Sequence, residues 1–144
     1  MSAEDNRVIV QRWIEEIWNK GNLAVADEIV AANFANYDPA GPMLEPGRSG
    51  LKKQVALYRT AFPDLQVTIE DIVSEGNKVV IRWKAHGTHR GDLMGIPATG
   101  REATLMGISI NKIVNGKIVE HRTNWDVLGL MQQLGVMRPL ARSA

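Results

Sequence analysis

Asp126 and His89 are the two residues of this chain best suited by type and position to move a proton. Asp126 closes the run Asn115-Gly116-Lys117-Ile118-Val119-Glu120-His121-Arg122-Thr123-Asn124-Trp125-Asp126, which reads as a hairpin turn and a strand ending in a carboxylate. His89 stands at the root of a glycine-punctuated run from Gly87 to Arg101, a long loop between two apolar strands. A carboxylate enclosed in an apolar pocket is desolvated, so its pKa rises and it becomes a useful base near neutral pH. A carbon acid beside a carbonyl is the natural substrate of such a base. If hydrogen bonds or conjugation hold the enolate, neither metal nor organic cofactor is needed.

Each residue also has a structural reading. Strand alternation puts Ile118, Glu120, Arg122, Asn124 and Asp126 on one face and Val119, His121, Thr123 and Trp125 on the other. Periodicity alone favours the Val119/Trp125 face as core. Asp126 would then meet solvent and serve as N-cap for the segment that follows. Counting by twos from Val79 carries His89 to the core side. There it would either donate a hydrogen bond to a substrate oxygen or to Asp126, or fasten the glycine-rich loop.

Other chemistries find no support. Three histidines and no cysteine form no recognisable metal motif, and His86 and His89 face opposite sides of a strand. Neither a G-x-S-x-G elbow nor a phosphate-binding loop is present. The glycines of the Gly87–Gly100 run do not open a helix after a strand, so they make no dinucleotide fingerprint. A net charge of +1 gives no broad footprint for nucleic acid or membrane, and the tail arginines Arg138 and Arg142 are too few for a nucleic-acid arm. Lack of cysteine rules out disulfides and leaves the redox compartment open. With no signal peptide or membrane span visible, the cytoplasm is the expected location.

The elements that must position these groups follow from spacing. Ile9, Trp13 and Ile17, beside Val10, Ile14 and Trp18, make one broad apolar stripe on a helix over Val8–Lys20, with Gly21 as its stop. A short helix is expected over Leu23–Ala31 and a third over Ser49–Ala61, ended by Pro63; the stretch between them, rich in proline, reads as loop. Alternating strands follow, with hairpin turns at Glu75-Gly76-Asn77 and Asn115-Gly116. The strand over Ala103–Val114, apolar on both faces, reads as central. Helices followed by antiparallel hairpins indicate an α+β fold in one domain spanning residues 1–144.

The motifs G-x-H-x-G…G-x-x-x-T-G-R and G-K-I…H-R…D…Q-L-G resemble the SnoaL-like polyketide cyclases of the NTF2-like superfamily, with support from Ile17-Trp18-Asn19-Lys20-Gly21-Asn22-Leu23 and Phe62-Pro63-Asp64-Leu65. The resemblance spans Val8 to Gly135. It implies a cone-shaped barrel in which N-terminal helices pack on a curved antiparallel sheet around a pocket. It further implies a pocket-facing Asp126 as acid–base residue, with His89 as its catalytic companion. Trp18, Asn36, Tyr37, Met106, Arg122 and Asn124 would bind substrate, although core packing is the favoured reading of Trp18 and a structural ion pair that of Arg122. Asn36, Tyr37 and Asp38 form a polar cluster where family members often hold pocket residues, and a turn at Asp38-Pro39 explains Asp38 equally well. Lys112 departs from the family pattern, which has a histidine there; an outward strand residue is the favoured reading of this lysine.

The implied activity is cofactor-independent intramolecular aldol ring closure of a carbonyl-containing, polyketide-like small molecule, aromatic or a β-keto ester. Related hydroxylase, isomerase or dehydratase chemistry on the same scaffold is the alternative, as is a non-catalytic small-molecule-binding dimeric module. A homodimer or higher homo-oligomer is expected, with no metal.

Overall fold

The computed structural model describes residues 2–138, so Arg142 lies outside them. Helix α1 (Ala3–Arg12) starts at a reciprocal cap: Ser2 Oγ accepts from the Asp5 amide and the Asp5 carboxylate accepts from the Ser2 amide. The expected single helix then widens into a π-helix over Trp13–Asn19. Hydrogen bonds from i to i+5 bring Trp13 and Trp18 to one face, which an α-helical period would separate. Gly21, at φ +69°, stops the helix as expected.

The region after Gly21 departs from expectation. A 3-10 turn (Leu23–Val25) and a single α turn, α2 (Ala26–Ile29), replace the second helix, and Val30–Tyr37 is strand β1. Its sequence, VAANFANY, has little β preference of its own. Parallel pairing with β5 (Lys117–Trp125), together with burial of Val30 and Phe34, overrides that preference. Helix α3 (Gly47–Ala61) follows. Strands β2 (Gln66–Glu75), β3 (Lys78–Thr88) and β4 (Glu102–Val114) form antiparallel hairpins, and α4 (Val127–Gln133) closes the described chain.

The sheet order is β1-β5-β4-β3-β2. It is mixed rather than wholly antiparallel, and it does not close, since β1 and β2 remain edges. Asn115 and Gly116 both have positive φ, as a type I′ hairpin between β4 and β5 requires. A register shift places Ile113 opposite Ile118 but Lys112 opposite Glu120. That bulge lets Ile118 share the inner face with His121, Thr123 and Trp125, while Glu120, Arg122 and Asn124 turn outward. Lys112, paired with Glu120, lies on the outer face with Ile108 and Ile110. The inner face packs against α1, the π-helix and α3 through Val10, Trp13, Ile17, Phe34, Leu51, Val55 and Ile81, all buried.

Candidate active site

Between the inner sheet face and the helices lies a cavity with roughly 780 Å³ of empty space, its open mouth included. That is ample for a small organic molecule. The π-helix contributes Trp13, Ile14 and Trp18, and α3 contributes Gln54 and Tyr58. The strands add Val67, Ile81, Trp83, Ala85, Leu105, Ser109, His121, Thr123 and Trp125, and Phe62 and Leu65 after α3, Leu130 of α4 and Asp38 beyond β1 complete the wall. All four tryptophans of the chain line it.

Among the described lining residues Asp38 is the one carboxylate. Its position is fixed from two sides. The Trp125 indole N–H donates to Oδ1 at 3.1 Å and reaches Oδ2 at 3.3 Å, and the Ala40 amide donates to Oδ1 at 3.1 Å. Gly41 packs so closely that a Cβ there would come within 2.5 Å of Asp38 Oδ2. Tyr58 stands edge-on to Trp125, with ring centroids 6.3 Å apart. Its hydroxyl is buried and makes no hydrogen bond among the described residues. Burial, and then the negative charge of Asp38, raise the Tyr58 pKa. The phenol therefore keeps its proton at neutral pH and holds a donor in reserve.

Polar groups deeper in the wall are mostly paired. Trp83 donates its indole N–H to Ser109 Oγ at 2.9 Å, Ser109 donates to Thr123 Oγ1 at 2.8 Å, and Thr123 reaches the Ile108 carbonyl at 3.4 Å. His121 Nδ1 lies 2.6 Å from Asn111 Oδ1. Burial pushes the His121 pKa down to about 4, so the ring is neutral at physiological pH. Asn36 stays outside the cavity but donates to Gln54, a wall residue, at 2.8 Å. Among the described residues no three His, Asp or Glu side chains converge as a metal site would require.

Of the residues expected from sequence, Trp18 lines the cavity. Asp126 does not: its side chain is exposed and accepts from the Gly129 amide at 2.8 Å, capping α4. The first turn of a helix leaves amides without partners, and an aspartate at this point satisfies one. His89 is wholly buried outside the cavity wall, stacked on Phe62 at 5.4 Å, with Nδ1 accepting from the Thr99 amide at 3.2 Å. It pegs the glycine-rich loop, whose Arg90 and Gly91 amides donate to the Ala61 carbonyl at the end of α3. Tyr37, Met106, Arg122 and Asn124 lie exposed outside the cavity lining, and the Arg122 guanidinium sits 4.0 Å above the Tyr37 ring. Asp38, Tyr58 and His121 are the residues sequence reasoning did not assign. Two signals in the sequence point toward His121 and Asp38: the alternation along β5, and the polar cluster Asn36-Tyr37-Asp38.

Comparison with known proteins agrees with this architecture. The model of the family described as SnoaL-like polyketide cyclase matches residues 8–134. An aklanonic acid methyl ester cyclase of Streptomyces peucetius is 33% identical over 131 residues, covering 88% of each chain. The structure of TsrD from Streptomyces laurentii superposes with a TM-score of 0.86 at 28% identity, covering 95% of this chain and 99% of that one. A Catenulispora acidiphila protein with a ketosteroid isomerase-like fold gives a TM-score of 0.74 at 19% identity, covering 88% and 92%, a likeness of fold alone. The chain is a member of the SnoaL-like polyketide cyclase family, with an α+β fold of helices on a curved, open, mixed sheet.

Proposed function

We propose that this protein closes a ring by cofactor-independent intramolecular aldol addition on a carbonyl-containing, polyketide-like small molecule. The observation that carries the proposal is the pairing of the Asp38 carboxylate with the unpartnered Tyr58 phenol at one end of an apolar cavity. Proton abstraction beside a carbonyl needs a positioned base and a donor for the oxygen that becomes negative. Asp38 takes the C–H proton, and Tyr58 donates a hydrogen bond to the enolate oxygen. The enolate carbon then attacks a second carbonyl of the same molecule, forming one C–C bond, and the new alkoxide takes a proton back from Asp38. Trp18 and the other indoles hold the flat apolar body and exclude water. Membership of a cyclase family, with a relative named for cyclising a methyl ester, supports an ester-bearing substrate.

A panel of aromatic β-keto esters and polycyclic ketones, incubated with metal-free protein, tests this. The expected product has unchanged mass and altered absorbance. Asp38→Asn is expected to lose at least about 100-fold in kcat, whereas Asp126→Asn, which keeps a good helix cap, retains turnover. The opposite pattern would return the chemistry to Asp126. A product of altered mass would indicate hydroxylase or dehydratase chemistry, and binding without turnover across the panel would indicate a binding module.

We further propose that the protein is a homodimer, joined through the apolar outer face of β4.

A further inference from the structure

The deep end of the cavity carries a second recognition group. On β5, His121 pairs with Asn36 of β1, two residues before Asp38, so His121 and Asp38 occupy neighbouring stretches of the wall, about 7 Å apart along the strands. Its ring is clamped beside Trp13, with centroids 5.1 Å apart, and near Phe34 at 6.5 Å. Asn111 Oδ1 carries no proton, so at 2.6 Å it accepts from Nδ1–H. The Nδ1–H tautomer leaves a lone pair on Nε2, which makes no hydrogen bond among the described residues. Ser109, Thr123 and Trp83 beside it are already engaged with one another. Nε2 is thus an acceptor with spare capacity beside polar neighbours that are already paired.

We infer that His121 is a specificity-determining residue: held by Asn111, it accepts a hydrogen bond from a phenolic or enolic hydroxyl of a flat aromatic substrate. This rests on reading the cavity as the substrate site. Burial supports it by keeping the imidazole neutral, so the lone pair is available across the physiological range. A substrate whose hydroxyl is blocked leaves Nε2 buried and unpaired, and that is how a polar site rejects an analogue.

The four cavity tryptophans make intrinsic fluorescence the direct readout. The probes are 2-hydroxyanthraquinone, its methyl ether and unsubstituted anthraquinone. The wild-type protein is expected to bind the hydroxy compound about fivefold to tenfold more tightly than either analogue. His121→Phe should equalise the three while still binding anthraquinone, and His121→Gln, which offers an amide oxygen, should restore part of the preference. Equal affinities in the wild type, or a preference that survives in His121→Phe, would overturn the inference. So would a preference for the ether, which would mean that Nε2 carries the proton. If His121→Phe does not fold, Asn111→Leu removes the group that sets the tautomer and should reduce the preference, and an unchanged preference would count against the idea. Asp38→Asn should show the wild-type order of binding, so failure of the cyclase reading and failure of this one are seen separately.

Discussion

Burying an imidazole costs a protein its charged form. His121 titrates near 4 rather than near 6.5 because the surrounding Trp13 and Phe34 cannot solvate an imidazolium. The unfolded chain, by contrast, binds that proton below about pH 6.5. Between the two values the unfolded state holds more protons, so stability rises with pH. The contribution is fully present above about 6.5 and is lost as pH falls toward 4, on the order of 3 kcal/mol over the interval. Melting temperature followed from pH 7 to pH 4 should therefore fall, and His121→Gln should flatten that part of the profile. A variant with the wild-type slope would show that other groups govern the acid limb. The same residue shows how legible the site was. Alternation on β5 already assigned His121, Thr123 and Trp125 to the core, and the structure agrees. Family resemblance pulled Asp126 inward against that periodicity, and here the local physics of a helix cap prevailed. Asp38 beside Pro39 satisfies a turn through the Ala40 amide and also lines the cavity; what local sequence does not show is that Trp125, far along the chain, reaches it.

At the scale of elements, hairpins with their own turn chemistry were readable and contacts formed at long range were not. The Asn115-Gly116 turn and the lengths of β4 and β5 follow from local spacing. Strand β1 exists because β5 offers it an edge, and no periodicity within VAANFANY announces that. The π-helix is equally invisible to a count of apolar rows, yet it brings Trp13 and Trp18 onto one wall. Gly107 tests how tightly that wall is built. It lies opposite Trp83 on β3 and Trp125 on β5, and a Cβ there would come within 2.3 Å of the Trp83 ring and 2.9 Å of Trp125 Cβ. Neither indole can retreat freely: Trp83 is bonded to Ser109 and Trp125 to Asp38. Gly107→Ala should thus cost about 1–3 kcal/mol, as overpacking does. It should also disturb Asp38 through Trp125, weakening anthraquinone binding at least about fivefold if the same energy is lost in the complex. Thermal melts and fluorescence titration on one preparation would decide it; wild-type values in both would mean that the wall is plastic.

The whole molecule leaves one face unaccounted for. Met106 and Ile108 are each 52% exposed and Ile110 40%, successive outward residues of the central strand β4. Single exposed hydrophobes are ordinary, but a contiguous row on a sheet marks a surface built to be covered. Helices already cover the inner face of the sheet, and among the described residues none covers this one. Its flanks carry both charge signs, Arg82 with Asp71 and Arg122 with Glu120. A second copy turned by a two-fold axis would meet the same row and could pair each flank with its opposite. Light scattering at micromolar concentration should therefore return twice the 15.9 kDa chain mass. The double variant Met106→Lys with Ile108→Lys should return the single mass with an unaltered circular dichroism spectrum, since both side chains project away from the core. A wild-type monomer would refute the dimer, and a variant that stayed dimeric would move the interface elsewhere. In either case the cavity, enclosed by elements of one chain, should still bind its ligand, because no described wall residue belongs to the outer face.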